Sequence, residues 1–117
     1  MDLTATELMY IDRMFNDGGY VLDFSDDSFA EFSLKSIDLD IKAKYGLSKG
    51  KSLNRFFSDN SIDIKTKMKL LRDLLEIYEV YKESSPRFRL LYDSYSDKPK
   101  LMEQYKEKCV EILGKYS

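Results

Sequence analysis

The stretch Ser48-Lys-Gly-Lys-Ser-Leu-Asn-Arg-Phe-Phe57 gathers hydroxyl, ammonium and guanidinium groups around the start of one amphipathic run. Ser48 is a good helix N-cap, because its side-chain oxygen can accept from a backbone N–H of the first turn. The free N–H groups of that turn, the positive end of the helix dipole and Ser48, Lys49, Lys51 and Ser52 together form a place where a phosphate or another anion can be held. Arg55 follows Lys51 by four residues and so lies on the same side of such a helix. Phe56 and Phe57 are adjacent, about 100° apart around a helix. That spacing predicts that one of the two faces outward as an aromatic anchor or a stacking surface. The alternative is a solvated basic helix whose two Phe straddle a wide core face.

Carboxylates form the other concentration of chemistry. Asp23, Asp26, Asp27 and Glu31 crowd one short stretch, and Asp38 and Asp40 a second. A pair of acids can hold a divalent cation or share acid and base roles. The competing reading, which the spacing favours, is that Asp26 and Asp27 serve a helix N-terminus and the rest are solvated. Asp38-Leu39-Asp40 lacks the remainder of a calcium loop.

The chain has no histidine and one cysteine, Cys109. Triads built on imidazole and zinc sites built on several thiolates are therefore excluded within one chain. Neither of the phosphate-cradling patterns G-x-x-x-x-G-K-[ST] and G-x-G-x-x-G is present. Cys109 falls on an apolar stripe and reads as a packed thiol. The expectation is a protein that is not an enzyme, with no catalytic residue, no metal and no cofactor.

Elements must then position the basic stretch. With 117 residues, 43% of them apolar, the chain is sized for a single helical domain over 1–117; the alternative is that these residues are the N-terminal module of a longer protein. A lone cysteine, no long apolar run and an acidic start without a basic leader predict a cytoplasmic protein that does not enter membranes. Residues 1–40 hold ten acids and two bases, whereas 41–72 hold nine bases and two acids. This split fits either an anion-binding face or acidic and basic segments packed on one another.

Period and caps predict a mainly α, compact bundle of about five or six helices. Thr4 and Glu7 form a capping box ahead of a helix over 5–15 bearing Leu8, Ile11 and Phe15, which Gly18-Gly19 stops. Short β elements are expected near 20–24 and 37–41. A second helix covers 27–37, capped by Ser25 or Asp26, with Phe29 and Phe32 inward. A third covers 49–58. The strongest, from Asp63 to Glu83, repeats apolar residues from Ile64 to Tyr81 and carries Lys65, Lys69 and Arg72 on one face. A short helix is expected over 87–95. The last is capped by Asp97, has Leu101, Tyr105, Cys109, Ile112 and Tyr116 as its stripe, and frays at Gly114.

Two blocks resemble a known family. Leu8-Met-Tyr-Ile-Asp-Arg-Met-Phe-Asn-Asp-Gly-Gly-Tyr-Val-Leu-Asp-Phe-Ser-Asp-Asp-Ser-Phe-Ala-Glu-Phe32 resembles the opening of the AbiJ N-terminal domain family. Ser48 to Phe57 is similar to that family's S-K-x-x-R-L-R-x-F, with Ser52 and Asn54 standing where the family usually has Arg. The resemblance implies a role in bacterial abortive infection, as a sensing or regulatory domain ahead of an effector such as a HEPN ribonuclease. That effector's active site needs a histidine, which this chain lacks. The residues the resemblance nominates are Tyr20, Asp23, Phe24, Ser25, Phe29, Ser48, Lys49, Leu53, Arg55 and Phe56.

Three functional readings follow. The first is a non-catalytic sensor, regulatory or protein-interaction module of an antiphage defence system, with an effector domain or phage protein as partner. The second is a nucleic-acid or nucleotide binder using the basic segment 42–72. The third is a small stand-alone inhibitor or antitoxin-like protein. Candidate binding residues are Tyr20, Asp23, Ser48, Lys49, Lys51, Arg55, Phe56 and Phe57. A homodimer through the Tyr- and Leu-rich stripes of the last two long helices is a further option.

Overall fold

The computed structural model describes residues 2–17, 20–85 and 98–117. Among them, six helices run in the order α1 (Ala5–Phe15), α2 (Asp26–Ile37), α3 (Ile41–Tyr45), α4 (Lys49–Ser58), α5 (Ile64–Ser84) and α6 (Lys98–Tyr116). The mainly α bundle read from the periodicity is the observed architecture. The short helix expected over 87–95, the Gly18-Gly19 stop and the Asp97 cap lie outside the described residues.

Side-chain caps set most of the helix starts. Thr4 and Glu7 close the capping box of α1, with the Thr4 N–H donating to Glu7 at 2.8 Å. Ser25 caps α2, and a reciprocal bond with Ser28 completes that box. Asp40, Ser48 and Asp63 cap α3, α4 and α5. Such caps are each worth about 1 kcal/mol, because they satisfy N–H groups the first turn leaves orphaned.

The two β expectations fare differently. Asn16–Asp17 (β1) pairs antiparallel with Tyr20–Val21 (β2), Asn16 opposite Val21. The element expected near 37–41 is not a strand. Asp38 adopts a left-handed conformation, φ +58°, and ends α2, and Asp40 then starts α3. Two acids that looked like the polar half of an alternating pattern are helix-boundary residues, for which Asp is well suited. Leu22 also sits at positive φ, +48°, where the chain turns out of β2. A bulky residue is uncommon there.

One cluster of buried side chains unites the elements. α5 packs on α2 and α6, α6 also on α1, and α4 on α1, α3 and β2. From α5, Met68, Leu70, Leu71, Leu74 and Tyr78 are all 2% exposed or less. Phe24 joins the β2–α2 turn to the end of α5 through rings at 5.6 Å (Phe29), 5.0 Å (Phe32) and 5.7 Å (Tyr81). The stripes offered for a homodimer are largely spent here. On α6 the inward residues are Met102, Cys109 and Ile112, whereas Leu101 is 44% exposed. Gly114 does not fray α6, which continues to Tyr116, whose hydroxyl donates to Glu7 at 2.5 Å.

Candidate functional site

The N-terminus of α4 is where sequence placed an anion cradle, and the fold divides its parts. The Ser48 hydroxyl accepts from the Lys51 N–H at 3.3 Å and is committed to capping. Lys49 swings away and donates to Asp26 at 2.8 Å, its side chain 14% exposed. That hydrogen bond and the nearby ammonium charge hold the Asp26 carboxyl below its ordinary range. Ser52 is fully buried, and its hydroxyl has no partner among the described residues. Ser48, Lys49, Lys51 and Ser52 therefore do not converge on one ligand position.

Phe56 and Phe57 correct a second expectation. Neither is an outward anchor: they are 0% and 1% exposed, with rings in an edge-to-face contact at 5.2 Å. Adjacent positions can both be inside because α4 is covered on two sides. α1, with Leu8 and Ile11 near Phe57, takes one flank, and α3 takes another. Gly50, Ser52 and Leu53 are buried on the same broad inner face. No exposed ring is left on α4 for stacking.

What α4 presents outward is Lys51, Asn54, Arg55 and Ser58. Lys51 and Arg55 form no ion pair among the described residues. Arg55 lies close enough to Tyr45 for its charge to act on the hydroxyl. Tyr45 donates to Asp59 at 2.7 Å, and Asp59 also accepts from the N–H and hydroxyl of Ser61. These bonds, the Tyr45 one foremost, pull Asp59 down to about 2. Burial, then the Asp59 bond, pushes Tyr45 upward.

The acidic stretch is dispersed. Asp23 accepts from Ser85 at 2.7 Å and ties the β2–α2 turn to the end of α5. Asp26 holds Lys49, Glu31 pairs with Lys35 one turn on, and Asp27 is exposed. Among the described residues, no group of acids and thiols is arranged to hold a metal ion. Tyr20 contributes backbone pairing to β2. Cys109 is fully buried, and burial raises its thiol to about 12, which leaves it protonated and inert.

Two polar junctions were missed from the sequence. Lys67 has no exposed side-chain surface and donates to both oxygens of Asp2, at 2.8 and 3.0 Å. Partial burial works to raise Asp2, but bonds from Lys67 and the Leu3 N–H outweigh it and leave the carboxyl lowered. Beside this pair, Lys115 reaches Glu7 at 3.1 Å, and the Tyr116 hydroxyl lies 3.2 Å from the Asp2 carbonyl. The chain's first residues, the start of α5 and the end of α6 thus meet in one clasp. The second junction links α5 to α6, where Lys82 bridges Glu79 and Glu103 at 3.1 and 3.0 Å and Lys106 pairs with Glu79. A signal for Lys67 existed: it stands three residues after Ile64 and four before Leu71, on the apolar stripe of α5.

Comparison with family models, with curated proteins and with solved structures gives no match for this chain. No helix among the described residues is long and apolar enough to cross a membrane.

Proposed function

We propose that this protein is a non-catalytic recognition module of a bacterial abortive-infection system, acting as sensor or regulator through a protein partner. Support comes first from the two blocks that resemble the AbiJ N-terminal domain family. They lie far apart in sequence yet pack on each other. Block 8–32 supplies most of α1, all of β1 and β2 and more than half of α2, and block 48–57 supplies nearly all of α4. Asn16 donates to the Gly50 carbonyl at 3.2 Å, and Lys49 pairs with Asp26 across the same seam. This juxtaposition carries the reading, because it makes the two blocks one structural unit. Most of the nominated residues serve that unit: Phe24, Phe29, Leu53 and Phe56 are core, and Ser25 and Ser48 are caps. The chemistry of the groups supports recognition over turnover, since the thiol is buried and Asp23, Asp26 and Glu31 are held by Ser85, Lys49 and Lys35.

The test is affinity capture of the tagged full chain from its host during phage challenge, with proteins and nucleic acids identified together. The expected result is one stoichiometric protein, a defence effector or a phage product. Substrate turnover by the purified chain, abolished by neutralising a single carboxylate, would defeat the reading.

Nucleic-acid binding is kept as a second reading because Lys51, Arg55, Lys65 and Arg72 are exposed. If these met about four phosphates, log K would fall with log salt at a slope of about −3.6 on duplex DNA. The division of the basic segment weighs against it. α4 and α5 have different packing partners, and Lys49 and Lys67 are held by Asp26 and Asp2.

A further inference from the structure

We propose that the outward side of α4, carried by Lys51 and Arg55, docks a short acidic segment of a partner protein. This inference rests on the recognition reading and names the chemistry of the partner, not its biological context. The starting point is an inequality among the cations. Lys49, Lys67, Lys82 and Lys115 are each drawn to a carboxylate of the same chain. Lys51 and Arg55 are exposed and have no such pair among the described residues. They stand one helical turn apart, a separation of about 6 Å along the axis. Carboxylates two residues apart on an extended segment, or one turn apart on a helix, have a similar spacing. Arg55 can take a carboxylate through two parallel bonds, and Lys51 adds a point charge.

The surroundings select a short acidic peptide over a nucleic acid. At the start of α4 stand Asp26, 63% exposed, and Asp27; at its end stand Asp59 and then Asp63. Asp26 is offset by Lys49 and Asp59 is bonded to Tyr45, but a phosphodiester backbone continuing past either end would still meet the exposed Asp27 and Asp63, whereas a segment with two carboxylates stops short of them. With Phe56 and Phe57 both buried, the stripe offers no ring on which a base could stack. The exposed bases of α5 are less suited. Lys65 and Arg72 are two turns apart, with Lys69 between them paired to Asp73 at 3.2 Å.

The full chain is titrated at low salt with a labelled peptide of alternating Glu and Ser, and separately with an oligo-dT of similar length. The peptide should bind better than the oligonucleotide. K51E/R55E should weaken peptide binding at least about tenfold, and K51A/R55A should weaken it less, in the same direction. The α5 variant K65E/R72E, which changes net charge equally, should stay within about twofold of wild type. Thermal unfolding of each variant checks that the fold is kept. Equal losses from both Glu variants, tighter binding of oligo-dT, or no peptide binding by wild type would each overturn the inference. So would a partner captured from the host whose binding K51E/R55E leaves unchanged, although the recognition reading would then still stand.

Discussion

Lys67 and Lys51 come from one basic stretch, yet Lys67 is sealed from water against Asp2 while Lys51 stands in water with no ion pair among the described residues. The difference lies in the helix face each occupies. Lys67 shares the inner stripe of α5, so its charge can be tolerated only with a counter-ion at hydrogen-bond distance. Lys51 lies on the outer side of α4, where its charge stays hydrated at no desolvation cost. Charge density along a sequence therefore does not measure charge available at a surface. In this protein the stretch 41–72 contributes both to cohesion, at Lys49 and Lys67, and to a bare stripe, at Lys51 and Arg55.

The largest expected effect separates the two sides of α4 itself. Phe56→Ala should cost about 3–5 kcal/mol, the penalty for emptying a fully packed aromatic site. Urea unfolding at neutral pH measures it, and a loss below about 1 kcal/mol would mean that the ring is not a core element. Next comes the buried lysine. Asp2→Ala should cost on the order of 3 kcal/mol, the low end for stranding a buried charge, because the Asp2 side chain is itself 31% exposed. Lys51→Ala should stay within about 0.5 kcal/mol of wild type. Combining Asp2→Ala with Lys67→Met should recover most of the loss, since an apolar side chain of similar size at position 67 needs no counter-ion. A double variant as unstable as Asp2→Ala alone would show that the clasp acts through something other than charge.

A further effect concerns acid. The Asp59 carboxyl lies at about 2 in the fold against an ordinary value of 3.8. A depressed carboxylate contributes stability that is fully present above the unfolded value and is lost as pH falls through the folded one. Stability should therefore decline between about pH 4 and pH 2, with Asp2, Glu7, Asp26 and Glu79 shifted in the same direction. Asp59→Asn should make that decline shallower, as read from denaturant midpoints across the window. An unchanged slope would mean that the Tyr45–Asp59 bond persists equally in the unfolded chain.

Much of the fold was legible from local signals. The capping box at Thr4 and Glu7, the Ser48 cap and the long stripe of α5 all follow from interactions within a few residues, which sequence spacing encodes directly. The misreadings occur where a local pattern has two tertiary outcomes. Ile37, Leu39 and Ile41 alternate as a strand would, but Asp38 and Asp40 bound two helices. Leu101 and Met102 are equally apolar neighbours, and the placement of α6 against the core chose Met102. The candidate site was half legible: the exposed pair Lys51 and Arg55 was, and the departure of Lys49 to Asp26 was not.

Residue order alone settled that the chain folds as helices, where several of them begin, and that imidazole chemistry and multi-thiolate metal binding are out of reach. These are properties of residue type and of separations of three or four positions. That two adjacent Phe are both inside, which lysine meets a carboxylate 65 residues away and which stays in water depend on how many sides of each helix are covered. That is fixed only when distant segments pack, because burial and counter-ion distance are properties of the assembled core and not of any single helix.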